Sequence, residues 1–204
     1  MPRIKGASRA DSATGTREQL ADAAQHLLGT VGFARTTTRA IAEHSGRNQA
    51  LISYHYGSLN QLLLAALDRS IDARLERWRA ELDHVSTWKG LRGLAARLYR
   101  EDRDAGHVRL LGEMVAGGLM DRELGRQVAQ RIRPWTELVA DALTRFTPAP
   151  VARRIPIAHL AYGTVASFLG LAILEELFED HERTDALLDR LAKNPPRPRK
   201  APQL

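Results

Sequence analysis

The chain contains no cysteine, which excludes a disulfide scaffold, thiolate metal sites and a cysteine nucleophile. No apolar run follows Met1-Pro2-Arg3, so no secretory signal is expected and the cytoplasm is the expected compartment. Enzyme signatures are missing too: there is no Walker loop, no GxGxxG behind a strand, no GxSxG elbow and no HExxH. Two clusters bear carboxylates and histidine: Glu101, Asp102, Asp104 and His107; and Glu175, Glu176, Glu179, Asp180, His181 and Glu182. Neither repeats the two-helix Glu-x-x-His arrangement of di-iron bundles, and both read as solvated helix ends. No enzymatic activity, catalytic residue, metal or cofactor is expected.

What is present is a chain of 204 residues, 44% of them hydrophobic, enough to bury a core in one or two domains. The net charge of +6 is unevenly spread: residues 1–60 carry seven Lys/Arg against four Asp/Glu, residues 61–189 eighteen against twenty, and the last fifteen five against none. Basic ends around a neutral middle suit contact between the termini and a polyanion. Residues 1–15, rich in Gly, Ser, Ala and Arg and without period, are expected to be a disordered basic arm. Residues 193–204 are expected to be a disordered basic tail, because Pro195, Pro196, Pro198 and Pro202 forbid a helix there.

Between these ends the pattern is helical throughout. Leu20, Ala23, Ala24, Leu27, Leu28 and Val31 fall on one helix face, with Thr16 and Gln19 as a capping box and Gly32 as the stop. A second helix is expected from an N-cap at Thr37 or Thr38, with Ile41 and Ala42 inward and Gly46 at its end. Asn48 can cap a third, where Ile52 and Tyr56 face the core and Gln49, Ala50, Ser53 and Tyr54 face out. Gly57 ends it. Ser58 and Gln61 then cap a long leucine-rich helix carrying Leu63, Ala66, Leu67, Ile71, Leu75, Trp78 and Leu82. The fold class expected is all-α: a three-helix head over residues 16–60, joined by a long helix to a helical bundle over 61–192.

The head has the form of a helix-turn-helix, whose second helix is a rod the major groove of B-DNA admits. A capped helix of this length, then GF, then TTTRAIAEHSG, then an eleven-residue segment ending in YHYGS, together resemble the N-terminal DNA-binding domain of the TetR family of transcriptional regulators. The resemblance covers roughly the first sixty residues. It implies that Thr38 holds a phosphate at the start of the second helix and that Arg39 reaches a guanine. Asn48 and Gln49 open the recognition helix, with Gln49 reading a base edge. Ala50 and Leu51 offer apolar surface to a thymine methyl, and Tyr54 and His55 clamp backbone phosphates. Three positions depart from the family pattern: Arg47 replaces the usual turn valine, Ser53 a tyrosine and Leu59 a lysine. Arg47 and the arm residues Arg3, Lys5 and Arg9 are available to replace the lost phosphate contacts.

For the body the resemblance implies a small-molecule effector site and a homodimer, so that two heads read a near-palindromic double-stranded operator. Trp78, Trp88, Tyr99, Met114, Met120, Trp135, Tyr162 and Phe168 are the candidate effector contacts, and an apolar lining with few buried charges points to a small lipophilic or aromatic effector. Residues 124–146 form a helical stripe interrupted only by Pro134. After the TPAP break, Ile155–Leu174 is apolar on nearly every side, long enough to cross a bilayer. It is single and rich in small residues, and an all-round apolar helix buried against a twin subunit explains the same pattern without a membrane. Leu138, Ala142, Leu160, Gly163, Ala166, Ser167, Gly170 and Leu174 are the expected dimer contacts. A ligand-released repressor is the expected function; the rivals are a helical interaction scaffold and a non-specific nucleic-acid binder.

Overall fold

The structure is a computed structural model that describes residues 9–193, with side chains from Thr14 onward. Helices α1 to α10 run Arg9–Val31, Thr38–Ser45, Ala50–Tyr56, Leu59–Asp83, Trp88–Asp104, His107–Met120, Arg122–Phe146, Ala149–Ala152, Ile157–Phe178 and His181–Lys193, with a single 3-10 turn at Phe33–Arg35. No strand occurs among the described residues. The chain divides into two compact units: the chain through Ala73 with Arg109–Ile132, and Arg74–Val108 with the chain from Arg133.

In the first unit, Leu20, Leu28, Ile41, Ile52, Leu62, Leu63, Leu67, Leu110, Met114 and Leu124 are each no more than 1% exposed. Burying side chains of this size is worth roughly 1.5–3 kcal/mol apiece. α1 begins at Arg9, well before the expected cap: Thr16 lies inside the helix at 8% exposure. No proline stands between Arg9 and Thr16, and once a packed helix exists each added residue costs little. The arm positions Arg3 and Lys5 lie outside the described residues, as does the tail from residue 194.

α6 fastens the head to the rest of this unit. Glu113 accepts the Phe33 backbone N–H at 2.6 Å, and its carboxylate sits where a side chain at Gly32 would go, 2.9 Å from an ideal Cβ. A Cβ on Gly117 would meet the Phe33 ring at 2.6 Å. Asp121 then caps α7, accepting from Glu123 N at 2.9 Å and Leu124 N at 3.1 Å, and its other oxygen accepts from Asn60 at 3.1 Å. The turn closes because Gly118 and Gly125 put backbone against backbone. α7 continues through Pro134 without a break.

In the second unit α5 packs against α10, with Ala96, Tyr99 and Leu188 buried and Phe168 against them. Buried charge, expected to be sparse, organises this unit. Glu175 is 4% exposed and accepts from the Tyr99 hydroxyl at 2.9 Å and Arg103 Nη1 at 3.0 Å, with His181 Nδ1 at 2.7 Å. Asp102 is 2% exposed and paired to Arg74 at 2.8 Å. Neither carboxylate is a solvated helix end, because each is surrounded by donors that replace water. Burial, then the bond to Glu175, pushes the Tyr99 hydroxyl well above its ordinary pKa. Ala161 and Glu175 are the buried residues of α9, which is also long and apolar enough to cross a membrane by length and composition.

The opposed glycines give a test with two signs. Gly125→Ala sets a Cβ 2.4 Å from the Gly118 carbonyl oxygen and should destabilise by about 1–3 kcal/mol. Gly112→Ala, in the same unit with nothing within 4 Å of its Cβ position, should stabilise by about 0.5–1 kcal/mol. Urea denaturation of both variants reads the pair; equal shifts would show that the close approach is not maintained in solution.

Candidate DNA-binding surface

The recognition helix is aimed by its caps. Thr37 is the α2 N-cap, its Oγ1 accepting from Ala40 N at 3.1 Å, and Gly46 ends α2 in the left-handed region at φ 64°. Asn48 Oδ1 accepts from Ala50 N at 2.8 Å, so it holds the start of α3 by its side chain. Gly57, at φ 79°, ends α3, and Ser58 accepts from Gln61 N at 3.2 Å to begin α4. The Gln61 side chain does not complete the expected capping box but bonds to Gln127 at 3.4 Å. Ile52 turns inward at 1% exposure, and the Tyr56 hydroxyl donates to the Arg17 carbonyl at 2.7 Å.

These anchors leave Gln49, Ala50, Ser53 and Tyr54 exposed, with Leu51 and His55 half-buried. Tyr54 is 80% exposed, and its ring meets His55 edge-on at 4.9 Å. No acidic residue occurs between Glu43 and Asp68, so the helix presents donors, aromatic edges and methyl groups to a polyanion without local repulsion.

Several side chains are already engaged. Gln49 Nε2 donates to Thr38 Oγ1 at 2.8 Å, joining the residues expected at a base and at a phosphate. Arg39 Nε donates to Glu43 at 2.8 Å, and that bond raises the Arg39 pKa further above its ordinary value. The remaining guanidinium nitrogens keep the fork that suits a guanine. Arg47 Nε donates to Gln19 on α1 at 2.7 Å, tying the turn to the head. Gln19, Glu43 and Glu113 were missed as positioning residues. The available signal for Glu113 was its being a lone acid in the otherwise apolar stretch Leu110–Met120.

The expected body contacts divide. Trp78 and Trp135 meet edge-to-face at 5.8 Å, and Tyr99 lies 5.7 Å from Phe168. Met114, by contrast, is fully buried in the core of the first unit. Trp88, Tyr162 and Met120 are 39%, 71% and 90% exposed, so they wall no interior space. Of the expected dimer contacts, Leu138 and Ala142 are buried within the single chain, at 8% and 7% exposure. Leu160 and Gly170 are half-buried, while Gly163, Ala166, Ser167 and Leu174 lie on an exposed stripe of α9.

Residues 20–66 match the family model of bacterial regulatory proteins, tetR family. No curated protein sequence matches the chain. Among solved structures, the fold resembles the fatty acid degradation regulator FadR from Bacillus halodurans, with a TM-score of 0.70 at 11% identity over 94% of this chain and 95% of that one. It also resembles the transcriptional regulator FadR from Bacillus subtilis in complex with stearoyl-CoA, with a TM-score of 0.65 at 14% identity over 86% and 95% of the two chains. A TetR-family member from Streptomyces coelicolor A3 gives a TM-score of 0.61 at 26% identity over 86% and 97%.

The aiming of α3 rests on a left-handed residue, so Gly46→Ala should cost about 1–2 kcal/mol although nothing crowds its Cβ position. Gly46→Asn should cost less, since asparagine visits that region more readily. Thermal unfolding of the two variants ranks them; Ala at or above Asn would refute the cap.

Proposed function

We propose that this chain, whose residues 20–66 match the family model of bacterial regulatory proteins, tetR family, is a cytoplasmic, non-enzymatic, sequence-specific transcriptional regulator that acts as a homodimer and is released from a palindromic operator by an effector. The observation that carries this reading is the acid-free outer face of α3, from Gln49 to Tyr54, held between two positive-φ glycines. Gln49 and Arg39 read base edges; Thr38, Tyr54 and His55 hold phosphates and set register. The Thr38–Gln49 bond pre-orients the amide in the absence of DNA.

The dimer reading is supported by the exposure of α9. His159, Tyr162, Gly163, Ala166, Ser167, Leu174 and Leu177 recur at helical spacing on one uncovered face. Exposed Leu187 and Leu191 on α10, 45% and 48% exposed, extend the apolar surface that a second copy would cover. Two heads so joined would meet half-sites about 34–36 Å apart, or a multiple of that. The effector reading places its site in the second unit, near the Trp78–Trp135 and Tyr99–Phe168 contacts. α6 starts there with His107 and continues into the first unit, where Glu113 and Gly117 hold Phe33. Release needs about 5.5 kcal/mol of differential affinity for a full swing from 1:99 to 99:1.

Selection of bound sequences from random duplex DNA tests the reading, with a two-fold symmetric consensus as the expected result. Gln49→Ala should lose about 1–3 kcal/mol of discrimination at one base pair per half-site, while Tyr54→Phe weakens all sequences alike. Equal losses on every duplex in both variants, or a consensus without symmetry, would falsify the proposal.

A further inference from the structure

Three buried hydrogen-bond donors of the second unit, Arg74 Nη1, Arg92 Nε and Trp135 Nε1, have no acceptor among the described residues, and those of Arg74 and Trp135 lie on stacked groups. Arg74, on α4, has a side chain only 11% exposed, and its Nε donates to Asp102 Oδ2 at 2.8 Å. Its Nη1 is buried and unpartnered. The guanidinium stands over the ring of Trp135, on α7, 4.8 Å from the centroid, and the Trp135 indole Nε1 is buried and unpartnered as well. Trp78 supplies the contrast, because its Nε1 donates to Asp102 Oδ2 at 3.3 Å while its ring meets Trp135 edge-on.

Asp102 does not serve the open donors. Its Oδ2 already accepts from Arg74 and Trp78, and its Oδ1 faces Arg77 at 3.8 Å. Buried donors in folded proteins nearly always have an acceptor, and two on stacked groups call for one that reaches both. A guanidinium edge prefers a carboxylate, and the two indoles offer surface to a flat ring. The half-buried imidazole of His107 is held below its ordinary pKa, first by burial and then by Arg74, so this neighbourhood resists further positive charge and tolerates negative.

We propose that Arg74 Nη1 and Trp135 Nε1 form the oxygen-acceptor subsite of the effector site, and that the effector is an aromatic molecule bearing a carboxylate. This rests on reading the second unit as effector-binding, and it narrows the expectation of a small lipophilic or aromatic effector by adding a carboxylate.

Nitrogen-15 labelling of the tryptophans in the full chain gives one indole N–H resonance for each of its three tryptophans, and Trp135→Phe identifies that of Trp135. Benzoate and 2-naphthoate are the probes, with 2-methylnaphthalene as the control without an acceptor. At least one carboxylate should move the Trp135 resonance downfield, with a smaller change at Trp78. Trp135→Phe, which keeps a ring but loses the donor, should weaken carboxylate binding by about tenfold, as expected for one lost buried hydrogen bond, and leave 2-methylnaphthalene unaffected. Arg74→Met should weaken it at least as much; if that variant fails to fold, Trp135→Phe and the resonance carry the test. A Trp135 resonance unmoved by either saturating carboxylate, or moved equally by 2-methylnaphthalene, overturns the subsite and leaves a bound water as the acceptor. DNA selectivity is measured separately: a selective protein that binds neither carboxylate defeats the subsite alone, and a non-selective one that binds 2-naphthoate through Trp135 defeats the regulator reading alone.

Discussion

The Glu113 carboxylate, accepting the Phe33 N–H at 2.6 Å, is the contact through which the head is held to α6. The missing side chain of Gly32 lets the carboxylate approach, and the missing side chain of Gly117 seats the Phe33 ring. The short helices α2 and α3 are too brief to be stable alone. Their placement depends on α1, on α4 and on this turn, and so does the direction in which α3 presents Gln49 and Tyr54. A DNA-reading surface built on so few residues needs rigid support, and a backbone bond and two glycines add to what the shared core of this unit provides.

The second unit uses charge for the same purpose. Glu175 gathers Tyr99, Arg103 and His181, joining α5, α9 and the start of α10. Asp102 gathers Arg74 and Trp78, joining α5 to α4. A buried ion pair adds little net stability compared with apolar packing, but removing one partner is costly. Such groups therefore specify a geometry more than they strengthen it. With α9 held at Ala161 and Glu175, its opposite apolar face stays uncovered, and that exposure is what favours a twin subunit.

Much of the head was legible in the sequence because its signals are local. Gly32, Gly46 and Gly57 take the positive φ that ends a helix, Thr37 and Ser58 cap the next turns, and Ile52 faces inward at the expected spacing. The body was less legible. Its amphipathic stripes were readable as helices, but the partner covering each stripe was not: the burial of Leu138 and Ala142 within the single chain is not written in their spacing. Pro134 was readable as an interruption; only the surrounding packing shows that α7 passes through it. Glu175 and Asp102 stood in acidic clusters that resemble solvated ends, and nothing local distinguishes an acid beside water from one beside Arg103 or Arg74.

The sequence by itself determined the helical class, the capped helix-turn-helix and the acid-free recognition segment, because helix periodicity, N-caps and left-handed glycines act over four or five residues. The tertiary structure decided which carboxylates are buried, which face of α9 is left open, that Gly118 meets Gly125, and that Arg74 stacks on Trp135 with a buried unpartnered donor on each. Most of those facts join positions tens of residues apart, and all follow from close packing and desolvation, which no short stretch of chain encodes.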